Sequence, residues 1–283
     1  MKHTTSELKL IANTIRKDII DMLKSAGSGH SAGPLGMTDV FTALYFEVLN
    51  HQPDNPDWEE RDIVVLSNGH ITPVRYATMA RAGYFPVSEL KTLRQLGSNL
   101  QGHPERTRLP GTETTSGPLG SGLSQASGMA LAMAINQERH RWVYCLMGDG
   151  ELNEGNVWEA AMLAAKYKLH NLTAIIDRNN IQIDGPTDEV MPLEDLSEKW
   201  QAFGWHAFEI DGHNIEAVFN ACQEAKAIVN KPVVIIAHTI PGKGVDFMEY
   251  DYHWHGAPPD SDQAKKALAQ LRTLDGEIRS EHE

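Results

Sequence analysis

The sequence is poor in the features that mark secreted and membrane-bound proteins. Its 283 residues include two cysteines, Cys145 and Cys222, one in a strand-like and one in a helix-like segment. That placement favours two reduced core thiols over a disulfide. No apolar run reaches the length of a membrane span, and the polar N-terminus lacks the pattern of a signal peptide. We therefore expect a cytoplasmic protein with no membrane partner.

Positive charge is also scarce, because 25 Lys and Arg residues stand against 38 Asp and Glu residues, for a net charge of -13. Such a balance argues against nucleic acid and anionic membranes as general partners. It leaves room for a local anion site, since backbone amides and a bound metal ion can hold phosphate without net basic charge. The 41% hydrophobic content is ordinary for a globular protein with an ample core.

Segments typical of strands alternate with segments typical of helices along the chain. Apolar residues spaced by three or four predict a helix over residues 6–25, and a second helix follows "GPLG" through Val40, Leu44 and Val48. Further helices are predicted over residues 119–135, 154–168, 214–229 and from 261, and strands over 62–66, 142–147, 172–177, 206–211 and 232–239. The alternation predicts an α/β fold, with a doubly wound, mostly parallel sheet flanked by helices, in a single domain of residues 1–283.

Polar side chains follow two successive predicted strands. Asp149 comes after the strand at 142–147, and Asn179 after the strand at 172–177. A right-handed βαβ unit of this length brings adjacent parallel strand ends together, and open α/β sheets bind ligands beyond such ends. Asp149, Asn179 and a carbonyl such as that of Ile181 could then surround one ion. These hard oxygen donors suit Mg²⁺ or Ca²⁺ better than Zn²⁺.

The surroundings of these residues favour an anion next to the ion. The helix predicted from Glu154 points its amino end toward the same place, and Gly148 and Gly150 allow the backbone to come close. The pattern thus predicts a metal ion that holds a diphosphate. A simple turn is the alternative, because Asp-Gly and Asn-Asn are both common in turns. The residues by themselves leave these two interpretations open.

Eight motifs in collinear order resemble those of the transketolase family, and together they cover nearly the whole chain. They are "SGHSAGPLG", "DIVVLSNGH", "QGHPE", "TSGPLGSG", "GDGELNEGNVWEAA", "IIDRNNIQIDG", "PGKG" and "HWHGAPP". The "GDG" followed by a later "NN" is similar to the thiamin diphosphate-binding motif. The resemblance implies the diphosphate-binding domain of that fold, with thiamin diphosphate and a divalent ion as cofactors.

The resemblance also implies a role for each matching residue. Asp149, Asn179 and the carbonyl of Ile181 would bind the ion, and Gly150 and Asn179 would contact the diphosphate. The residues near the phosphates and the two rings of the cofactor would be His70, His255, Gly117, Pro118 and Leu119. His30, His103 and His255 would surround the hydroxyls of the substrate, with His30 and His255 placed for proton transfer at the C3 hydroxyl of the donor.

The implied reaction moves a two-carbon glycolaldehyde unit from a ketose phosphate to an aldose acceptor, as in the pentose phosphate pathway. The common form of the family also has a pyrimidine-binding and a C-terminal domain, and no segment here matches them. We therefore expect either a fragment or the N-terminal subunit of a split transketolase, and the charged segment at 259–283 favours the subunit. Its partner would carry the pyrimidine-binding domain, in a heterotetramer around a homodimeric core.

Four residues carry further expectations. The family places acids such as Glu154 and Glu159 at a subunit interface, whereas for Glu151 a solvated helix start is an equal alternative. Arg75 departs from the more apolar stretch that split transketolases usually have, and it would be exposed on its helix or would meet a partner or a substrate phosphate.

Two other functions stay open at this point. The first is the α subunit of another thiamin diphosphate enzyme, such as a 2-oxo acid dehydrogenase component. The loop histidines suit a polyhydroxylated substrate better than a 2-oxo acid. The second is an inactive cofactor-binding scaffold, against which the intact Asp149, Asn179, His30 and His255 argue.

Overall fold

Seven strands occur in the computed structural model, which describes residues 1–138 and 140–271. They are β1 (Ile63–Leu66), β2 (Val143–Gly148), β3 (Leu172–Arg178), β4 (Ile181–Gln182), β5 (Gly185–Pro186), β6 (His206–Asp211) and β7 (Val233–His238). Five of them form one sheet in the order β1-β2-β3-β7-β6, in which every neighbouring pair is parallel. The remaining two, β4 and β5, form a small antiparallel hairpin. The predicted doubly wound parallel sheet is confirmed.

The central strands are almost wholly buried, as continuous apolar runs in a parallel sheet should be. The helices that cover them are α1 (Thr5–Ala26), α2 (Ala32–Gly36), α3 (Thr38–Ala43), α4 (Thr72–Ala82), α5 (Ser121–Ile135), α6 (Gly155–Lys166), α7 (Thr187–Val190), α8 (Leu196–Ala202), α9 (Ile215–Ala227) and α10 (Ser261–Gln270). One apolar core lies between the sheet and α1, α3, α4 and α9, and a second lies between the sheet and α5, α6 and α8. The sheet is therefore covered on both faces.

The helix predicted through Val40, Leu44 and Val48 differs from expectation. It begins earlier, at Ala32, and it is divided into α2, α3 and one π-helical turn over Leu44–Val48. The motif "GPLG" is thus helical. Pro34 is tolerated because it lies in the first turn of α2, where its missing N–H leaves no hydrogen bond unmade.

Other expectations concern single residues and the chain end. Cys145 and Cys222 are both buried free thiols, as predicted. The predicted C-terminal helix is α10, but the charged segment after Leu271 lies outside the described residues. No helix in the described part of the chain is long and apolar enough to cross a membrane.

Arg75 is neither exposed nor in reach of a partner, so that expectation was wrong. It lies on α4 with its side chain fully buried, and its Nη2 donates to Glu113 Oε2 at 2.8 Å and to the carbonyl of Gly111 at 3.0 Å. Arg61 approaches the other oxygen of Glu113 at 3.6 Å. The position faces inward because α4 is buried along most of its length. Arg75 therefore anchors the loop that leads to Gly117.

Replacing Arg75 by Met should destabilise the fold strongly, because Glu113 would keep a buried charge without its closest partner. We expect a loss of about 3–5 kcal/mol in the free energy of unfolding, measured by urea denaturation. Arg81→Met is the matched control, since Arg81 also lies on α4 and pairs with Asp18, but at the surface. It should cost under about 1 kcal/mol. Equal losses in the two variants would contradict a dominant role for the buried pair.

Candidate functional site

A cleft opens where the carboxyl ends of β1, β2 and β3 meet. Its volume is about 170 Å³, and its lining combines acids, amides and imidazoles with a few apolar side chains. The lining residues are Asn68, His70, Leu119, Gly148, Asp149, Gly150, Glu151, Asp177, Asn179, Ile181, Gln182, Ile183, Asp184 and His255. The cleft therefore lies where open parallel sheets bind their ligands.

The two predicted strand ends meet as expected. β2 and β3 are adjacent and parallel, with Gly148 opposite Asp177. The carboxylate of Asp149 is buried, and it accepts hydrogen bonds from the N–H groups of Gly150 and Asn180, each at 2.7 Å. Arg178 Nη1 also lies 3.2 Å from it. Burial raises the pKa of Asp149, whereas these donors and the guanidinium favour its ionised form.

Asn179 is held in place by a second acid that the sequence analysis missed. Its Nδ2 donates to Asp177 Oδ2 at 2.8 Å, and its Oδ1 accepts from the N–H of Ile181 at 3.1 Å. Thr239 donates to the other oxygen of Asp177. Burial raises the pKa of Asp177 to about 7, and the nearby Asp149 adds to that rise. The position of Asp177 at the end of "LTAIID" was the available signal.

Three of the predicted histidines form one cluster above the cleft. The ring centroids are 4.9 Å apart for His30 and His70, 5.1 Å for His70 and His255, and 5.7 Å for His30 and His255. Burial lowers the pKa of His255 and of His70. Burial and the charge of His255 together lower the pKa of His30 to about 4. All three imidazoles are therefore neutral at neutral pH, a state in which each ring has one nitrogen that can accept a proton.

The other predicted residues lie at the rim of the same cleft. His103 is close to the loop of His70, with its Cδ2 3.2 Å from the point that a Cβ on Gly69 would occupy. Gly117, Pro118 and Leu119 form an exposed segment just before α5, and of these three only Leu119 lines the cleft. His30 and His103 are likewise outside its lining and flank it. The structure thus gathers all of the predicted cofactor, metal and substrate residues around one opening.

Several polar atoms in this region are buried without a hydrogen-bond partner among the described residues. They include both side-chain heteroatoms of Asn68, which lines the cleft, Oγ of Ser116, and Nδ1 of His30 and of His255. Such orphans are rare in folded proteins and call for a ligand or water. Asn68 was missed by the sequence analysis, although it stands in the quoted motif "SNGH". These free donors and acceptors fit a polar cofactor and a hydroxylated substrate.

Glu151 does not lie on a solvated helix start, which corrects that alternative. Its carboxylate is buried, and it accepts hydrogen bonds from Ser67 Oγ, from the N–H of Gly120 at 2.7 Å and from the N–H of Gly148 at 3.1 Å. These donors belong to the end of β1, the start of α5 and the end of β2. Burial raises the pKa of Glu151, while the three donors lower it. Glu151 therefore joins three walls of the cleft.

Glu154 and Glu159 are exposed at the start of α6. Large apolar side chains are also exposed further along α6, namely Met162 at 56% and Leu163 at 42%. Nothing in a single chain tests an interface, so the assignment of Glu154 and Glu159 to one stays a prediction.

The donors at the strand ends are not those of a zinc site. Within residues 1–138 and 140–271, no group of three or more His, Cys, Asp and Glu side chains is placed to hold a metal ion. The set formed by Asp149, Asn179 and the Ile181 carbonyl has one carboxylate and two neutral oxygens, which suits a hard divalent ion with open coordination positions.

The comparison with protein families decides the assignment. Residues 7–275 match the family model described as transketolase, thiamine diphosphate binding domain. The chain belongs to the transketolase family. The resemblance carried by the eight motifs is thereby confirmed.

Transketolases of two sizes are similar to this chain. A 6-deoxy-6-sulfo-D-fructose transketolase subunit from Clostridium sp. is 42% identical, over 96% of this chain and 98% of its own. One subunit of an apulose-4-phosphate transketolase from Phocaeicola vulgatus is 40% identical, over 93% of each. A transketolase from Pichia stipitis, solved in complex with sedoheptulose-7-phosphate, superposes with a TM-score of 0.90 at 36% identity, over 96% of this chain and 42% of that one.

These similarities separate the alternatives. The chain spans about two fifths of the solved transketolases but nearly all of the separate transketolase subunits. The α subunit of a 2-oxo acid dehydrogenase component is not favoured, because the relatives over full length are transketolase subunits.

Glu151→Gln should weaken the fold. The carboxylate now accepts hydrogen bonds from three donors, and the NH₂ group of glutamine would face one of these donors without being able to accept from it. We expect a loss of roughly 1–3 kcal/mol in the free energy of unfolding, measured by urea denaturation. Glu224→Gln is the control, since Glu224 is exposed on α9, and it should change stability by under about 0.5 kcal/mol. A Glu151→Gln variant as stable as its control would show that the three hydrogen bonds do not hold the cleft together.

Proposed function

We propose that this chain is the N-terminal subunit of a two-chain transketolase. In this role it is a single diphosphate-binding domain that works in the cytoplasm, and its partner subunit carries the pyrimidine-binding domain. The observation that carries the proposal is the neutral cluster of His30, His70 and His255 beside the strand ends that bear Asp149 and Asn179. Full-length similarity to separate transketolase subunits supports it.

The residues at the strand ends fit a divalent ion and a diphosphate. Asp149, Asn179 and the carbonyl of Ile181 would hold Mg²⁺, or Ca²⁺, and the diphosphate would complete its coordination. Gly150 and Asn179 would contact the same diphosphate. Asp177 supports the site from behind by orienting the amide of Asn179, as acids behind metal ligands commonly do.

Thiamin diphosphate, when bound, supplies the electron sink that lets a two-carbon unit leave a ketose. His70 and His255 would lie by its phosphates and thiazolium, and Gly117, Pro118 and Leu119 against its aminopyrimidine. His30 and His255 would move the proton at the C3 hydroxyl of the donor, and His103 would hold the hydroxyls. Neutral imidazoles with an unpartnered Nδ1 suit both tasks.

The substrates would be ketose and aldose phosphates, as in the pentose phosphate pathway, or related anionic sugars. The names of the relatives include a sulfonated ketose and apulose 4-phosphate. Glu154 and Glu159 would face a subunit boundary, and the exposed apolar residues Met162 and Leu163 of α6 support that placement. A homodimeric core with two partner chains would make a heterotetramer.

Asp149→Ala should abolish Mg²⁺-dependent binding of thiamin diphosphate to the complex with the partner, because the ion would lose its only carboxylate ligand. Isothermal titration calorimetry with and without Mg²⁺ measures this loss. Asp188→Ala is the matched control, since Asp188 also contacts Arg178 but has a side chain that is 73% exposed. Cofactor affinity retained in Asp149→Ala would show that the metal site lies elsewhere.

His255→Ala should lower kcat of the complex by roughly 10²–10⁴-fold, the range for loss of a general acid or base. Thiamin diphosphate affinity should change far less. Ketol transfer from xylulose 5-phosphate is the assay, and His253→Ala, with a side chain that is 71% exposed, is the control in the same motif. The wild-type chain without its partner should be inactive. Normal turnover by that single chain would overturn the two-subunit proposal.

A further inference from the structure

Two of the candidate histidines follow glycines that contact the same side chain. Gly29 precedes His30, and Gly102 precedes His103. A Cβ on Gly102 would lie 2.9 Å from Cζ of Arg94 and 3.0 Å from its Nε, and a Cβ on Gly29 would lie 3.7 Å from the same Nε. The guanidinium of Arg94 therefore lies between the two loops. The missing side chain of Gly102 provides its space, whereas a Cβ on Gly29 would make ordinary van der Waals contact with it.

The backbone of Arg94 is held in a conformation that few non-glycine residues adopt. Its φ is 60°, in the left-handed region, and its N–H donates to the carbonyl of Leu100 at 2.9 Å. A residue with a side chain in this region costs on the order of 1 kcal/mol. The turn brings the chain back so that Gly102 lies beside the side chain of Arg94. The surrounding structure thus keeps Arg94 in a costly conformation that places its side chain between the loops.

The charge of Arg94 is not neutralised by a neighbour. Within residues 1–138 and 140–271, no carboxylate lies within 4.0 Å of its guanidinium, and its hydrogen bond to the carbonyl of Gly102 is long, at 3.5 Å. Arg94 is exposed, so water screens part of its charge, but no carboxylate offsets what remains at the two neighbouring loops.

We propose that Arg94 is a positioning residue, whose guanidinium holds the loops of His30 and His103 at a fixed separation and faces both imidazoles with a positive charge. The inference rests on the proposed function in one respect, since it takes these two histidines as the groups that meet the substrate.

The positive charge has a consequence for protonation. The pKa of His30 is lowered mainly by burial, then by the charges of His255 and Arg94. The pKa of His103 is lowered by burial and then by the charge of Arg94. The other titratable groups that face this pair are His70 and His255, and both are imidazoles with lowered pKa values. Removal of the Arg94 charge should therefore raise the pKa of both histidines. A substitution that keeps a positive charge at this position should leave the pKa of both histidines nearly unchanged.

The first experiment measures imidazole titration in the full chain by NMR, with signals assigned through His30→Gln and His103→Gln variants. Arg94→Met should shift the titration midpoints of His30 and His103 upward, and Arg94→Lys should keep them near those of the wild type. Arg106→Met is the control, because Arg106 is exposed in the loop of His103 and shifts neither histidine. Unchanged midpoints in Arg94→Met would overturn the proposal.

The second experiment compares an anionic and a neutral ketose donor in the complex with the partner. Arg94→Met should lower kcat/KM by roughly ten- to hundredfold for both donors, because displaced histidines act poorly on either. Arg94→Lys should recover part of this loss, since lysine lacks the planar guanidinium that fills the space between the glycines. A loss confined to the phosphorylated donor would overturn the proposal and make Arg94 a phosphate ligand.

The two experiments also separate this inference from the proposed function. A wild-type complex without ketol transfer would refute the function, while the NMR titration would still decide whether Arg94 acts on His30 and His103. Should Arg94→Met prove unstable, the midpoints of Arg94→Gln decide the question, because glutamine is neutral and polar. If His30 and His103 titrate in Arg94→Gln at the same midpoints as in the wild type, the charge of Arg94 does not act on them.

Discussion

The buried carboxylate of Glu151 is the constraint on which the candidate site depends. It receives hydrogen bonds from the end of β1, from the start of α5 and from the end of β2, and these are three separate parts of the chain. A buried carboxylate is costly unless its lone pairs are used. Each donor must therefore stay in place, and the cleft keeps its shape because its walls share one acceptor.

Burial then determines the charge of the groups around the cleft. It lowers the pKa of the histidines and raises those of Asp149, Glu151 and Asp177, so it opposes charge of either sign. Neutral imidazoles beside a buried carboxylate suit the proton transfer and the metal-bound diphosphate that we propose for this site. In our proposal, Arg94 acts on His30 and His103, which are partly buried, from a more exposed position of its own.

Buried ion pairs extend this organisation beyond the cleft. Arg75 and Glu113 connect α4, which begins just after His70, to the loop that runs on to Gly117. Two apolar side chains that line the cleft are exposed, Leu119 at 40% and Ile183 at 64%. The longer transketolases continue well beyond the matched region, and this chain covers 42% of the Pichia stipitis enzyme. These exposed apolar side chains and the unpartnered polar atoms of the cleft support our proposal that a second chain completes the site.

The sequence by itself determined the parallel sheet and the adjacency of Asp149 and Asn179, whereas the gathering of the histidines was implied by the resemblance to the transketolase family. Apolar periodicity and the handedness of βαβ units are local or nearly local properties, so they can be read along the chain. Only the tertiary structure decided the roles of Glu151, Asn68, Asp177, Arg75 and Arg94. Each of these is a polar residue whose environment comes from segments distant in sequence. A pattern of letters does not distinguish an exposed acid or arginine from a buried one, because burial depends on what packs against it.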